Sequence, residues 1–231
     1  MWLVYGRIGD NPPCSCPVIR SYAISLNDSM PDDVRHLLKP YILRVVGNRD
    51  PASEATRLHT IVLETARCVV PLASSLPEFE LLRRLPDDAD YSQIITRVRR
   101  AGRAAAAAAD AAGGAAADDA DAARAVARAA AVARDAAVAR DAAGAAVAPG
   151  AGRAAGRAVA RAARAAAAAA AGAAADAAGA AADAAGAAAR LSVWTTAVKV
   201  LDASLRIGKQ SPKFDEDAVR SSVHQFELQA S

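Results

Sequence analysis

Alanine dominates one stretch of this sequence and limits what the chain can fold into. Between residues 101 and 190, 56 of 90 residues are alanine, and the rest are Arg, Asp, Gly, Val and one Pro. Alanine has the highest helix propensity of any residue, so the tract predicts long helices. The whole chain is 53% hydrophobic but only 4% aromatic. Its apolar surface therefore consists mostly of methyl groups, which argues against a large conventional core along its full length.

Proline and glycine indicate where the alanine-rich helix is interrupted. Pro149-Gly150 is the strongest break, because proline cannot continue the interior of a helix. Weaker breaks are expected at Gly113-Gly114 and at Gly152 and Gly156. The sequence therefore predicts a helical hairpin over residues 101–208.

The second arm of this hairpin has a heptad pattern that keeps charged residues out of two positions, as a packed seam requires. Trp194 is expected to be buried as the main anchor of the seam, because large aromatic side chains dominate burial energetics. The first seam position holds Ala170, Ala177, Ala184, Leu191, Val198 and Leu205, and the second holds Ala173, Ala180, Ala187, Trp194 and Leu201.

A stripe of glycines beside this seam has two interpretations. Gly172, Gly179 and Gly186 repeat every seven residues. They either permit close approach of another backbone or replace alanine in a tolerant repeat, at a cost of about 1 kcal/mol each in helix propensity.

Charges also lie beside the seam and leave a choice open. Asp176, Asp183 and Arg190 either pair with a neighbouring helix, or the helix is broken near Gly172 and the register is wrong there. In the predicted hairpin, Asp176 would face Arg124 and Arg190 would face Asp110.

The rest of the chain divides into three further segments. Residues 1–15 are expected to form an irregular arm, with a short β segment at residues 2–5. Residues 16–100 have ordinary composition and predict a helical domain, and residues 209–231 a polar tail with a short helix around residues 215–228. The fold class is thus all-α: an N-terminal helical domain followed by a long Ala-rich helical hairpin with a heptad-like C-terminal arm.

Periodicity and turn residues place the helices of residues 16–100. The first helix is expected to begin at Pro17. The second is expected to begin at Asp32 or Asp33, with a kink at Pro40 and a stop at Gly47. Three further helices are expected to begin near Asp50-Pro51, near Pro77 and at Tyr91. The apolar faces of the first and third of these helices are Val18, Ile19, Tyr22 and Leu26, and Leu58, Ile61, Val62, Thr65 and Val69.

Charge and cysteine content favour a cytoplasmic protein. The net charge of +3 is mild, and three cysteines (Cys14, Cys16 and Cys68) do not form a disulfide framework. Residues 2–5 are too short an apolar stretch for a signal peptide, and no window is expected to be strongly apolar over the roughly 20 residues of a membrane span. The tract's residue types are those of GC-rich codons, which suggests a bacterium.

No pattern in the sequence indicates catalysis. His36, His59 and His224 lack a metal-binding spacing, and Cys14-x-Cys16 alone is a weak metal motif. Phosphate loops and nucleophile motifs are missing, and helix capping accounts for the acid pairs of residues 32–33 and 87–88. We therefore expect no catalytic residues, no cofactor and no metal.

Arginines at the start of the alanine-rich tract and within it are candidates for binding phosphates. However, the charges of the 10 Arg and 8 Asp residues in the tract nearly cancel. A solvated arginine face is favoured, and nucleic acid is the third alternative for a partner. These arginines are Arg97, Arg99, Arg100 and Arg103, and Arg153, Arg157, Arg161 and Arg164.

The N-terminal part resembles uncharacterised bacterial alanine-rich helical proteins. The resemblance is carried by Cys16-Pro17-Val18-Ile19, by residues 26–35 (LNDSMPDDVR) and by Leu38-Lys39-Pro40-Tyr41. It implies a long Ala/Arg/Asp tract before a C-terminal helix such as residues 191–207, and no activity that could be assigned to a residue. Similar chains are sometimes labelled immunity proteins.

Together these observations predict a non-enzymatic interaction or structural protein with a protein partner, which is able to form homo-oligomers. The alternative is an immunity-type or regulatory partner of another bacterial protein.

Overall fold

A computed structural model describes residues 14–74, 76–112 and 152–209. These ranges are mainly helical and contain no strand, as predicted. The six α-helices are α1 (Pro17–Ser29), α2 (Glu54–Glu64), α3 (Pro77–Glu80), α4 (Tyr91–Ala112), α5 (Gly152–Ala184) and α6 (Gly186–Leu205). Helix α2 continues as a π-helix at Thr65–Val69, and 3₁₀ helices occupy Arg35–Tyr41, Val70–Leu72 and Leu81–Arg84.

Several predictions made from the sequence lie outside the described residues. These are the β segment of the N-terminal arm, the breaks at Gly113-Gly114 and Pro149-Gly150, the first arm of the hairpin, and the helix of the C-terminal tail. The pairing of Asp176 with Arg124 falls there as well. Gly156 lies inside α5, so it does not interrupt the helix.

Local residues explain where most helices begin. Proline occupies the first turn of α1 and of α3, where its missing N–H costs no hydrogen bond. Helix α4 begins with a capping box, because Asp90 accepts the Gln93 N–H (2.8 Å) and the Gln93 side chain accepts the Asp90 N–H (3.2 Å). The helix predicted from Tyr91 is confirmed.

The prediction of a helix after Asp32 or Asp33 is wrong in the type of helix. The chain forms a 3₁₀ helix at Arg35–Tyr41 instead, capped by Val34 rather than by an aspartate. Pro40 lies inside it, and a residue without an N–H cannot continue an α-helical ladder. Gly47 ends the segment with φ 75°, a conformation that glycine adopts without strain.

The core is built where α1 packs against α5. Ideal Cβ atoms placed on Gly172 would lie 3.1 Å from Ser21 Oγ and 3.2 Å from Ser25 Oγ, and one on Gly179 would lie 3.4 Å from Ser29 Cβ. Gly172 lies beside Ser21 and Ser25, and Gly179, further along α5, lies beside Ser29, further along α1. The two helices therefore run in the same direction. At Gly172 the atoms in close contact are the side-chain oxygens of Ser21 and Ser25, so the glycine makes room for serine side chains of α1. Alanines cover the rest of the buried face of α5: Ala167, Ala170, Ala171, Ala174, Ala175, Ala177, Ala178, Ala181 and Ala182.

The chain reverses direction at Ala185, between α5 and α6. A Cβ on Gly179 would lie 3.8 Å from the Trp194 side chain, although fifteen residues of straight helix span about 22 Å. The continuous heptad arm drawn from the sequence is therefore wrong at this point. Leu191, assigned to the seam, is 53% exposed, whereas Trp194 is buried as predicted.

Helix α6 returns alongside α1 and α2. The Tyr22 hydroxyl of α1 donates to the Ala197 carbonyl oxygen at 3.2 Å. One cluster of buried residues joins α1, α2, α4, α5 and α6, so the core crosses the domain boundary predicted near residue 100. The predicted apolar faces of α1 and α2 are buried within it.

A stretch of α5, Ala165–Asp183, is long and apolar enough by length and composition to cross a membrane. Its apolar character comes from alanine, and Asp176 and Asp183 lie within the stretch, so it is weakly rather than strongly apolar. Of this window, 56% is buried inside the protein.

The two glycines of α5 should respond differently to alanine. At Gly179 a Cβ meets ordinary van der Waals contacts, so Gly179→Ala should raise the free energy of unfolding by about 0.5–1 kcal/mol through helix propensity. At Gly172 an added Cβ would lie so close to Ser21 Oγ and Ser25 Oγ that these side chains must move. Gly172→Ala should therefore stabilise the protein less than Gly179→Ala does, or should destabilise it. Denaturant unfolding measures both variants, and equal stabilisation would contradict the close contact at Gly172.

Trp194 should contribute more to stability than any alanine around it. It is 1% exposed, so Trp194→Ala should lower the free energy of unfolding by about 3–5 kcal/mol. Its indole N–H has no hydrogen-bond partner among the described residues, so Trp194→Phe should cost much less. In a Trp2→Phe background, red-shifted and readily quenched Trp194 fluorescence would show that this packing is wrong.

Candidate binding groove

A groove lies between α1 and the segment that returns beside it, residues 35–45. Its volume is about 790 Å³. Ile42, on its wall, is 50% exposed and is one of three exposed large aliphatic side chains in the described ranges, with Leu81 and Leu191. The apolar lining consists of Ala23, Ile24, Leu38, Tyr41, Ile42, Val45 and Leu201.

Polar contacts hold the returning segment antiparallel to α1. At one end, Arg35 donates to the Met30 carbonyl oxygen (2.9 Å) and pairs with Asp32 (2.7 Å). At the other end, the Arg49 N–H donates to the Cys14 carbonyl oxygen (3.0 Å). The segment is therefore fixed at both ends of α1, and the groove lies between the segment and the helix.

The segment is also attached to α6. Arg44 Nη1 lies 2.5 Å from Asp202 Oδ1, and its guanidinium lies 5.3 Å from the centre of the Tyr41 ring. The hydrogen bond from Arg44 lowers the pKa of Asp202, and Arg206 adds to this effect. Asp202 thus ties the outer wall of the groove to the core.

Charged side chains line both ends of the groove. The end near the start of α1 is basic, because Arg20 lies on the lining. Partial burial lowers the pKa of Arg20, while Cys16 raises it and Arg49 lowers it. Towards the end of α1 the lining carries charges of both signs, because Asp28 and Asp32 lie there together with Arg35, which pairs with Asp32, and Lys39 also lines the groove.

Behind the basic end, a buried arginine joins three parts of the chain. Arg57 is fully buried and donates to the carbonyl oxygens of Asn48 (2.7 Å), Ile207 (2.6 and 2.9 Å) and Lys209 (3.0 Å). The Asn48 side chain in turn accepts the Cys16 N–H at 2.8 Å. We call these residues the Arg57 clamp, which holds the start of α1, the loop before α2 and the end of α6 together.

Sequence reasoning identified neither the groove nor the clamp. Both depend on residues far apart in the chain, and the only local signal was the Pro40 and Gly47 pair that prevents an ordinary helix over residues 35–45.

The histidines and cysteines considered as functional candidates do not converge. His36 Nδ1 lies 2.8 Å from the Asp33 carbonyl oxygen, and His59 Nε2 lies 2.8 Å from the Ala89 carbonyl oxygen. Cys16 is buried, while the Cys68 thiol donates to Glu64 at 3.2 Å. Burial, with help from Glu64, raises the pKa of Cys68, which disfavours the reactive thiolate.

Across the described ranges, no group of three His, Cys, Asp or Glu residues could hold a metal ion. His224 lies outside the described residues.

The acid pairs and the arginine cluster are on the surface. Asp32 pairs with Arg35 and Asp87 with Arg67, so ion pairing rather than helix capping accounts for these two acids. Arg97, Arg99, Arg100 and Arg103 are exposed on α4. The side chains of Arg153, Arg157, Arg161 and Arg164 are not described.

No protein family, curated protein sequence or solved structure matches this chain.

The Arg44–Asp202 pair should make the free energy of unfolding fall as the solution becomes acidic. The folded pKa of Asp202 is lowered, so its contribution is complete above the unfolded value of about 3.9 and is lost as pH falls through the lower folded value. Asp202→Asn should therefore be less stable than the wild type at pH 7, by on the order of 1 kcal/mol, and the difference should shrink as the pH falls below about 3.9. Unfolding curves at several pH values measure this.

Asp28→Asn is the matched control, because the Asp28 carboxylate is exposed and, among the described residues, accepts a side-chain hydrogen bond only from Asn27. A stability loss for Asp28→Asn equal to that of Asp202→Asn, or one that does not change with pH, would contradict the role assigned to the Arg44 contact.

Proposed function

We propose that this is a non-enzymatic helical binding protein and that a segment of a partner protein binds in the groove beside α1. The observation that supports this is an open, mostly apolar groove of about 790 Å³ with an exposed isoleucine on its wall. Its volume falls within the roughly 300–1,000 Å³ of typical binding sites.

The shape of the groove favours a peptide segment over a small compact ligand. Its lining follows α1 from Arg20 to Asp28 and continues to Asp32 beyond the helix. Eight residues of helix correspond to about 12 Å, or more than two helical turns. An amphipathic helix lying in an apolar groove is a common mode of peptide recognition and fits this length.

A binding role also fits the chemistry around the groove. His36, the histidine on its lining, contacts a backbone carbonyl oxygen, and in the described part of the chain it is hydrogen-bonded to no side chain that would activate it as a base. Cys68 is kept in its thiol form. We therefore retain the expectation that the protein is not an enzyme.

The alternative that we propose is more specific: the protein is an immunity-type or regulatory partner of another bacterial protein. Nucleic-acid binding through the exposed arginines of α4 is the third. The cytoplasmic location and bacterial origin expected from the sequence are part of the same proposal.

Two exposed hydrophobic residues allow a controlled test. Ile42 lines the groove and is 50% exposed, whereas Leu81 is 40% exposed and lies elsewhere. A partner isolated with the wild-type chain should bind Ile42→Asp at least about tenfold more weakly, a loss of about 1.4 kcal/mol, because the charge would be buried on an apolar surface. Titration calorimetry with the purified partner measures this.

Leu81→Asp introduces the same charge in place of a similar exposed side chain and should leave the affinity unchanged. Equal weakening by both variants, or none by Ile42→Asp, would show that the partner binds outside the groove.

A further inference from the structure

Helix α4 has an exposed face that carries arginines and no acid. Between residues 91 and 109 the sequence contains four arginines and neither aspartate nor glutamate. We infer that this α4 arginine face, made of Arg97, Arg99, Arg100 and Arg103, binds the phosphates of a nucleic-acid duplex. None of these residues lines the groove, so the inference adds a second binding surface and does not depend on the proposed function.

The four arginines are neighbours on the helix surface. All are exposed, and each lies three or four positions from another, a spacing at which like charges repel. Arg97 donates to the carbonyl oxygens of Leu81 (3.5 Å) and Arg84 (3.4 Å). Among the described residues, Arg99, Arg100 and Arg103 form no ion pair or hydrogen bond. A bound phosphate would relieve the repulsion that no acid of the described chain offsets.

Acids lie beyond both ends of this face. Arg100 is at its centre, and along the helix it is about 15 Å from Asp90 and equally far from Asp110. Charges on a surface are largely screened beyond about 8 Å at physiological ionic strength. Of the acids just before α4, Glu80 pairs with Arg83 and Asp87 with Arg67, while Asp90 accepts the Gln93 N–H. The balance of charge over the whole tract therefore does not apply locally to α4.

The other exposed side chains of this face also suit phosphates. Ser92 and Thr96 are exposed and carry hydroxyl groups, which commonly donate to phosphate oxygens. An arginine guanidinium has a planar fork of N–H donors that matches two phosphate oxygens. From Arg97 to Arg103 the helix extends about 9 Å, which corresponds to two or three phosphates of one strand at about 3.4 Å each.

The same face is unsuited to other polyanionic partners. The large aliphatic side chains of α4 are buried, and Tyr91 is half-buried with its ring against His59. A membrane-bound helix needs an exposed apolar face, a protein interface needs an apolar core, and single strands stack on aromatic rings. The described part of α4 exposes none of these groups beside its arginines, which leaves the backbone of a duplex as the occupant.

Fluorescence anisotropy of the full chain with a labelled random-sequence duplex of about 20 base pairs tests the inference. At about 50 mM salt the dissociation constant should be micromolar, and four phosphate contacts predict a slope of log K against log salt of about −3.6. Arg100→Gln with Arg103→Gln should weaken binding at least about tenfold and reduce the slope to about half, because two contacts are lost.

Lys199→Gln with Lys209→Gln is the matched control. It removes two exposed charges outside α4, so both double variants lower the formal net charge from +3 to +1. The lysine variant should keep the affinity and salt slope of the wild type. Arg100→Lys with Arg103→Lys retains both charges and should keep the slope, which separates loss of charge from damage to the helix.

Three results would overturn the inference. These are no binding by the wild type at about 50 mM salt, equal weakening by the arginine and lysine double variants, and tighter binding of a single strand of the same length. Poly-glutamate or phosphatidylserine vesicles that bind as tightly as the duplex, and depend equally on Arg100 and Arg103, would show that an acidic protein or a membrane is the partner. Ile42→Asp should bind the duplex as the wild type does, so this test is independent of the groove.

Discussion

The contact of α1 with the glycine-containing face of α5 determines where the other described elements can lie. Each buried alanine removes only one methyl group from water, worth about 0.8 kcal/mol, so a face of alanines is stabilising only if the helices come close enough for many atoms to touch. Gly172 allows that approach, because an added Cβ would lie only 3.1 Å from Ser21 Oγ. Helix α6 then returns beside both helices, and Trp194 contributes the large side chain that the alanine-rich face lacks.

The Arg57 clamp closes one end of this arrangement. Its guanidinium donates to the buried carbonyl oxygen of Asn48 and to the carbonyl oxygens of Ile207 and Lys209 after α6. A buried carbonyl such as that of Asn48 costs about 1–3 kcal/mol when it is left unpaired. The clamp also fixes the loop that contains Asn48 and, through it, the start of α1. The basic end of the groove is consequently built on a rigid base, although the groove itself is open to solvent.

Local patterns in the sequence were sufficient to predict helices but not their partners. The apolar faces of α1 and α2 repeat at helical spacing, and both are buried. The heptad register placed Trp194 in the core correctly, because its immediate neighbours on α6 share that face. The register failed at Leu191, because the reversal at Ala185 ends the continuous seam and no local residue pattern marked that reversal.

The groove was missed for the same physical reason. Arg20 and Arg49 are 29 positions apart, and Arg44 and Asp202 are 158 apart, so only the folded chain brings them together. The sequence predicted a helix that begins at Asp32 or Asp33 and stops at Gly47, but the chain forms a 3₁₀ helix only at Arg35–Tyr41. Ile42 follows directly after that helix and is half-exposed.

The division of the chain into alanine-rich and ordinary segments has a consequence for recognition. A face of methyl groups offers a partner neither hydrogen-bond donors nor acceptors, and it looks nearly the same at every turn of the helix. Such a surface suits internal packing, where close approach matters more than the identity of the side chains, and the described part of α5 uses it in that way against α1.

Specific recognition requires side chains that differ in shape and charge. In the described part of the chain, residues 20–45 bring an aliphatic side chain, an aromatic ring and charges of both signs to one open groove. The alanine-rich helix therefore supports α1, whereas α6 holds residues 35–45 through the contact of Arg44 with Asp202.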